Sequence, residues 1–263
     1  MPVLNGARFL ESAIASVRSQ THGDWELIIV DGGSADGSLE IANAHANEDQ
    51  RVKVMSGNDE GMYDAIFKGF ENATGEWLSW LNCDDLYASW CLATAEEFIA
   101  GMGCSWLTGY PGCWDEEGRL RYARPSGLYP QRLIAAGWFH ARLLGCLQQE
   151  SMFFSRGLLE TLSSEEVQRI RTMRYAGDFL LWRCFAKRAR LETLPTVLGG
   201  FRRHADNLSA RNAEGYAAEV RATKPFAPPS LIAGALAAPF RLASSWAMMR
   251  AAGKADARMG RMR

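Results

Sequence analysis

The chain has 263 residues, 48% hydrophobic and 22% charged, with a net charge of −1 at pH 7. That length supports a substantial core in one large domain or two small ones, and the near-neutral charge speaks against nucleic-acid binding. Six scattered cysteines with no Cys-x-x-Cys pair speak against a zinc cluster or disulfide scaffold and suit a reducing compartment, and neither a signal-peptide core nor an apolar run of about 18 residues is present. Phe9, Leu10, Ala13, Ile14 and Val17 recur at helical spacing, with Asn5 as the expected N-cap. Residues 25–30 form a short β-branched run that reads as a buried parallel strand. A helix is expected over 39–46, a strand over 51–55 and a helix over 62–73, closed by Gly75. This alternation predicts an α/β fold: a mixed, mostly parallel sheet with helices on both faces.

The next run, Glu76-Trp-Leu-Ser-Trp-Leu-Asn-Cys-Asp84-Asp85, is of strand length and ends in two adjacent acids. In an open α/β sheet, ligands bind just past the carboxyl ends of strands. Adjacent acids there repel each other unless a cation lies between them and a substrate. Mg²⁺ or Mn²⁺ is the natural cation, held by one or two carboxylates plus substrate phosphates. The competing reading is a solvated turn. The glycine-rich segment after Val30, 31–38, has neither the Gly-x-Gly-x-x-Gly spacing of a dinucleotide site nor the Gly-Lys-Ser/Thr of a P-loop. Asp31, at a strand's carboxyl end, is placed to meet a ligand, whereas Asp36 reads as capping chemistry.

Several ordered segments resemble the family-2 inverting glycosyltransferases, which have the GT-A fold. They are Asn5-Gly6, residues 25–34, Asp59-Glu60-Gly61-Met62-Tyr63-Asp64-Ala65, Ala73-Thr74-Gly75-Glu76 and Leu81-Asn82-Cys83-Asp84-Asp85. The likeness covers roughly residues 1–90 and is closest to bacterial members that build polysaccharides. It implies a nucleotide-sugar donor, with UDP favoured, and a divalent metal. By the same resemblance Asp31 contacts the nucleotide base, Asp84 the ribose or sugar, and Asp85 the metal, with Asp59 and Asp64 also on the substrate side. Phe67 stands where the family usually has Asn. The family's first strand is absent before Met1, which leads to the expectation of a start further upstream.

In the second half, 106–110 and 120–122 read as two strands around a turn at 115–118, and 129–138 as a helix. Gln148-Gln149-Glu150-Ser151-Met152-Phe153-Phe154 reads as a strand entered from a polar loop. It resembles a family segment facing donor and acceptor, which makes Gln149 and Glu150 substrate-side candidates. A helix over 177–187 carries Asp178 in its first turn, where an acid also suits the helix dipole. Asp178 matches the second acid of the family's Glu-Asp motif and is the expected catalytic base, with Glu150 in reserve; the first acid is replaced by Gly177. Phe201-Arg202-Arg203-His204 resembles the tail of the catalytic domain, so Arg203 and His204 are candidates to touch the diphosphate, the alternative being a solvated basic loop.

The expected organisation is a GT-A domain over 1–224, with a nucleotide-sugar half (1–100) and an acceptor half (101–224), followed by a helical appendage over 225–263. The apolar stretch 231–249 before a basic end suits a helix on an anionic membrane surface, a packed hairpin being the alternative. The expected function is inverting sugar transfer to a glycan or lipid-linked acceptor in polysaccharide biosynthesis. It would take place in the cytoplasm or at the inner face of the membrane. The alternative is a non-catalytic assembly subunit on the same fold.

Overall fold

The computed structural model describes residues 1–124, 129–207 and 212–224. The chain begins with β1 (Pro2–Val3), α1 (Ala7–Arg18), β2 (Leu27–Asp31), α2 (Ser38–Glu48), β3 (Val52–Ser56) and α3 (Met62–Asn72). The three strands pair in parallel in the order β1-β2-β3. Pro2 and Val3 themselves therefore supply a short strand beside Val30 and Asp31. The expected stripe of α1 is the buried one, Phe9, Leu10, Ala13, Ile14 and Val17. Its N-cap, however, is Gly6 and not Asn5. Asn5 sits at φ 52 and accepts the Ala35 N–H on its Oδ1. The loop after β2 satisfies the first donors of α1 instead: Ser38 Oγ accepts from Gly6 and Asp36 Oδ2 from Ala7. Asp36 is thus a structural cap, as expected.

Next come β4 (Trp77–Leu78), β5 (Leu86–Tyr87), α4 (Cys91–Met102), β6 (Trp106–Thr108), β7 (Gly112–Trp114), β8 (Leu120–Ala123) and α5 (Gln131–Ala136). The strand expected to run from Glu76 to the paired acids is only two residues long. Residues 79–85 leave the ladder and carry the acids in an irregular loop. The turn at 115–118 does join a hairpin, but its strands are β7 and β8. Residues 106–108 pair elsewhere, with β9 and β10 below. Glycine allows this crowded corner. A Cβ on Gly200 would lie 2.0 Å from the Trp114 ring and 2.5 Å from Gly112 O, so only glycine fits.

A 3-10 turn (Gln149–Ser151) leads into β9 (Phe153–Ser155), followed by α6 (Arg156–Glu160), α7 (Ser164–Arg171), α8 (Gly177–Ala186), β10 (Glu192–Thr193), β11 (Gly199–Arg202) and α9 (Ala213–Ala222). The remaining sheets have the orders β10-β6-β9-β4 and β5-β11-β7-β8, with parallel and antiparallel pairs mixed. One apolar cluster lies among the N-terminal strands, α1 and α4; a second lies under α3, α5 and α8. In the second, the Trp182 indole of α8 stacks between Trp80 (5.3 Å) and Trp106 (5.7 Å). Phe67 is 4% exposed and meets Phe70 edge-on; the residue that departs from the family's Asn has become core. The tail over 225–263 lies outside the described residues. Among the described residues, no helix is long and apolar enough to cross a membrane.

Candidate active site

The carboxyl end of β2 delivers Asp31, which is 1% exposed. Its carboxylate accepts the N–H groups of Gly33 (3.2 Å) and Ser34 (3.1 Å) and the Ser56 hydroxyl (2.8 Å). Burial acts to raise its pKa, but the bonds from Ser34, Ser56 and Gly33 outweigh it and hold Asp31 below the ordinary carboxylate range. Asp59 lies against the same loop: a Cβ on Gly32 would come within 2.5 Å of Asp59 Oδ2. Asp64 of α3 is ion-paired with Arg171 of α7 at 2.6 Å and with Lys68 at 2.8 Å. Burial raises its pKa and the bonds from Lys68 and Arg171 lower it, to about 2. A cavity of about 640 Å³ is lined by Asn58, Asp59, Glu60, Asp64, Lys68 and Arg171. Asp64 is therefore a wall of this cavity with both oxygens engaged.

The two adjacent acids separate in role. Asp85 is fully buried: Oδ1 accepts the Arg202 N–H at 2.8 Å and Oδ2 the Asn82 amide at 3.1 Å. Asp84 is the accessible one, with Oδ2 3.0 Å from His204 Nε2. The His204 ring packs on Phe9 at 4.4 Å, which fixes it beside the carboxylate. Arg203, the other basic candidate, is exposed, and its N–H donates to Trp114 O. Its neighbour Arg202 is buried, with Nη2 on Ser12 Oγ.

Gln149 and Glu150 come from the 3-10 turn before β9 and are both buried. Burial first, then the charge of Asp178, pushes the Glu150 carboxyl up to about 7. Asp85 is pushed well above the ordinary range by burial, then by Glu150 and Asp84. Glu150 thus stands in electrostatic reach of both Asp85 and Asp178. Several buried polar atoms here lack a hydrogen-bond partner: Asn82 Oδ1, both amide atoms of Gln149, Glu150 Oε2 and Arg202 Nε. Such orphans are uncommon in folded interiors and mark a place where a ligand or ion completes the bonding.

Asp178 lies in the first turn of α8. Tyr63 Oη, from α3, donates to Asp178 Oδ1 at 3.2 Å. Burial raises this carboxyl to about 6, against the lowering effect of the Phe179 N–H and Tyr63. The position before it explains the missing acid. A Cβ on Gly177 would fall 2.7 Å from the Tyr63 ring, so the Tyr63 ring fills the space that a larger residue would need. Sequence reasoning overlooked Tyr63 as a neighbour of the site, although it stands inside the segment 59–65 that carried the resemblance, and Arg171, which carries no motif.

A divalent cation fits these residues in one respect. Buried acids that raise one another, beside the unpaired Asn82 Oδ1, are a donor set that such a charge stabilises. Among the described residues no group of three or more His, Cys, Asp or Glu forms a preassembled metal cluster. A cation here would rest on the Asp84–Asp85 pair and be completed by substrate oxygens, as Mg²⁺ and Mn²⁺ commonly are.

Solved structures share this fold. The chain aligns with S. aureus TarS 1-349 in complex with UDP-GlcNAc at a TM-score of 0.63 and 18% identity, over 80% of this chain and 59% of that one. It aligns with the mannosyltransferase PcManGT from Pyrobaculum calidifontis, in complex with GDP-Man and Mn²⁺, at a TM-score of 0.53 and 20% identity, over 97% of this chain and 74% of that one. The fold is GT-A. The family model of glycosyl transferase family 2 matches residues 1–142, more than half of the chain, and the chain belongs to that family. A "PGL/p-HBAD biosynthesis glycosyltransferase" of Mycobacterium bovis is 45% identical over 101 residues, 38% of this chain and 40% of that protein. The "putative teichuronic acid biosynthesis glycosyltransferase TuaG" of Bacillus subtilis is 32% identical over 111 residues, 41% of this chain and 44% of that protein. The matched segment thus spans less than half the length of either curated relative.

Proposed function

We propose that the chain is a metal-assisted glycosyltransferase. It moves a sugar from a nucleoside diphosphate donor, with inversion, to a glycan or lipid-linked acceptor of polysaccharide or glycolipid synthesis. The observation that carries this reading is the convergence of four acids from three separate segments: Asp84 and Asp85, Glu150, and Asp178. The donors held by similar folds support a nucleotide sugar, with a UDP-sugar the first candidate.

Inversion requires a base that takes the proton of the attacking acceptor hydroxyl on the face opposite the leaving group. Asp178 is that base. With a pKa of about 6 it is ionised at neutral pH yet basic enough to accept a proton. One carboxylate suffices, unlike the acid–base pair of a hydrolase. Asp85, with Asp84 beside it, would hold Mg²⁺ or Mn²⁺, which when bound neutralises charge on the leaving diphosphate, with His204 beside Asp84 on the diphosphate side. The unpaired Gln149 amide and Glu150 Oε2 would orient sugar hydroxyls. Asp31 and Asp59 would form the nucleotide end, braced by the Asp64–Arg171 pair, while Arg203 stands free to approach the diphosphate. Residues 1–224 would form the catalytic domain, with 226–263 a peripheral membrane contact.

Calorimetric titration of UDP, GDP and dTDP, with and without Mn²⁺, tests the donor site in wild type and Asp85→Ala. Metal-dependent binding of one nucleotide, lost in the variant, is expected. Turnover of the matching nucleotide sugar should then fall at least about 100-fold in Asp178→Asn, with nucleotide affinity unchanged. A folded protein that binds none of the three would sink the reading in favour of a non-catalytic subunit.

A further inference from the structure

The loop that leads into α8 is held from a distance. Glu219, on α9, accepts three successive backbone N–H groups: Arg174 on Oε1 at 2.8 Å, and Tyr175 and Ala176 on Oε2 at 2.9 and 2.8 Å. Ala176 is the N-cap of α8 and offers no side-chain cap of its own. Donors at a helix start need partners, and a carboxylate supplies strong, charge-assisted ones. On the other side, Tyr63 Oη lies 3.3 Å from Tyr175 O and 3.2 Å from Asp178 Oδ1. Glycines make both approaches close: a Cβ on Gly215 would meet the Tyr175 ring at 2.7 Å, as one on Gly177 would meet Tyr63. Ala176, Phe179 and Val220, with Met173 and Tyr216, form a small apolar cluster that seals α9 onto this end of α8.

We propose that Glu219 and Tyr63 are positioning residues for Asp178, Glu219 by clamping residues 174–176 and Tyr63 by donating a hydrogen bond to the Asp178 carboxylate. This rests on the reading of Asp178 as the base. The titratable groups that face Asp178 are Tyr63 from α3, Cys146 from the loop before the 3-10 turn, Glu150 from that turn, and Tyr216 and Glu219 from α9. Tyr63 favours the ionised carboxylate through its hydrogen bond, and Glu219 disfavours it through its charge. The two residues therefore pull the proton affinity of Asp178 in opposite directions while holding it in one place.

The test is a ¹³C-carboxyl NMR titration of the full chain, with the Asp178 signal assigned by its loss in Asp178→Asn, in wild type, Tyr63→Phe and Glu219→Gln. Tyr63→Phe should move the Asp178 midpoint up and Glu219→Gln should move it down, each by about half a pH unit or more. The acidic limb of nucleotide-sugar turnover should move with it. Removing the Glu219 charge would by itself move the midpoint, so its positioning role also requires a fall in turnover above both midpoints; unchanged turnover there, or unmoved or parallel midpoints, overturns the proposal. Should Glu219→Gln fail to fold, Tyr63→Phe decides alone, and an unmoved midpoint there overturns it. The titration needs neither donor nor acceptor. If the midpoints move as expected but Asp178→Asn turns over donor at the wild-type rate, it is the base assignment that falls, and the catalytic sense of the clamp with it.

Discussion

Gly177 and Tyr63 share one volume, and this decides what the family's missing acid means. With the Tyr63 ring 2.7 Å from where a Cβ would sit, Gly177→Ala should displace the ring, weaken its bond to Asp178 and cost about 1–3 kcal/mol by overpacking. Denaturant melts of wild type and variant check this; an unchanged midpoint would mean that the ring moves freely. Asp31, Asp84 and Asp85 were legible as acids past strand ends, and Gln149, Glu150 and Asp178 through the family resemblance. Their partners were not. Asp64 read as a substrate contact, yet Arg171, 107 positions away, occupies it. Asp84 and Asp85 read as a ribose or sugar contact and a metal ligand, but nothing in the sequence showed that the Arg202 N–H would take Asp85 into the interior. Such pairings are set by tertiary contact, which a single chain does not display.

Among the elements, legibility followed periodicity and length. α1, β2, α3 and α8 emerged because each buries a regular stripe or run. β4, β5 and β10 have two residues each, too few to carry any pattern. α7 had a readable signal that went unused: Ser163 and Glu166 form a reciprocal capping box. A comparable polar tie joins β2 to the chain after α3. Glu26 accepts from Thr74, Gly75 and Lys53. Burial would raise its pKa, but the bonds from Lys53 and Thr74 prevail and hold it at about 2. The folded value lies below the unfolded one, so the stabilisation is complete above pH 4.5 and lost as pH falls through 2. Glu26→Gln should cost about 2 kcal/mol at pH 7, and its deficit against wild type should shrink between pH 4.5 and 2. Chemical denaturation across that range measures it; a deficit independent of pH would show that charge is not the cause.

At the scale of the molecule, the two apolar clusters draw, among the described residues, on positions between Met1 and Leu198, with α9 adding its own small seal. If residues 1–224 are the folding unit, a chain ending at Lys224 should melt within about 2 °C of the full chain. A larger drop in a calorimetric scan would make 225–263 part of the core. A mixed, mostly parallel sheet was predicted, whereas the strand order of the second and third sheets was not, since strand neighbours far apart in sequence leave no local mark. The distance between Glu219 and the loop it clamps also has a consequence for biosynthesis. The carboxylate is translated 43 to 45 residues after its three backbone partners. At about 5–20 residues per second, a nascent chain spends several seconds with residues 174–176 made and not yet held by Glu219. The clamp on residues 174–176 therefore forms only after α8 itself has been translated.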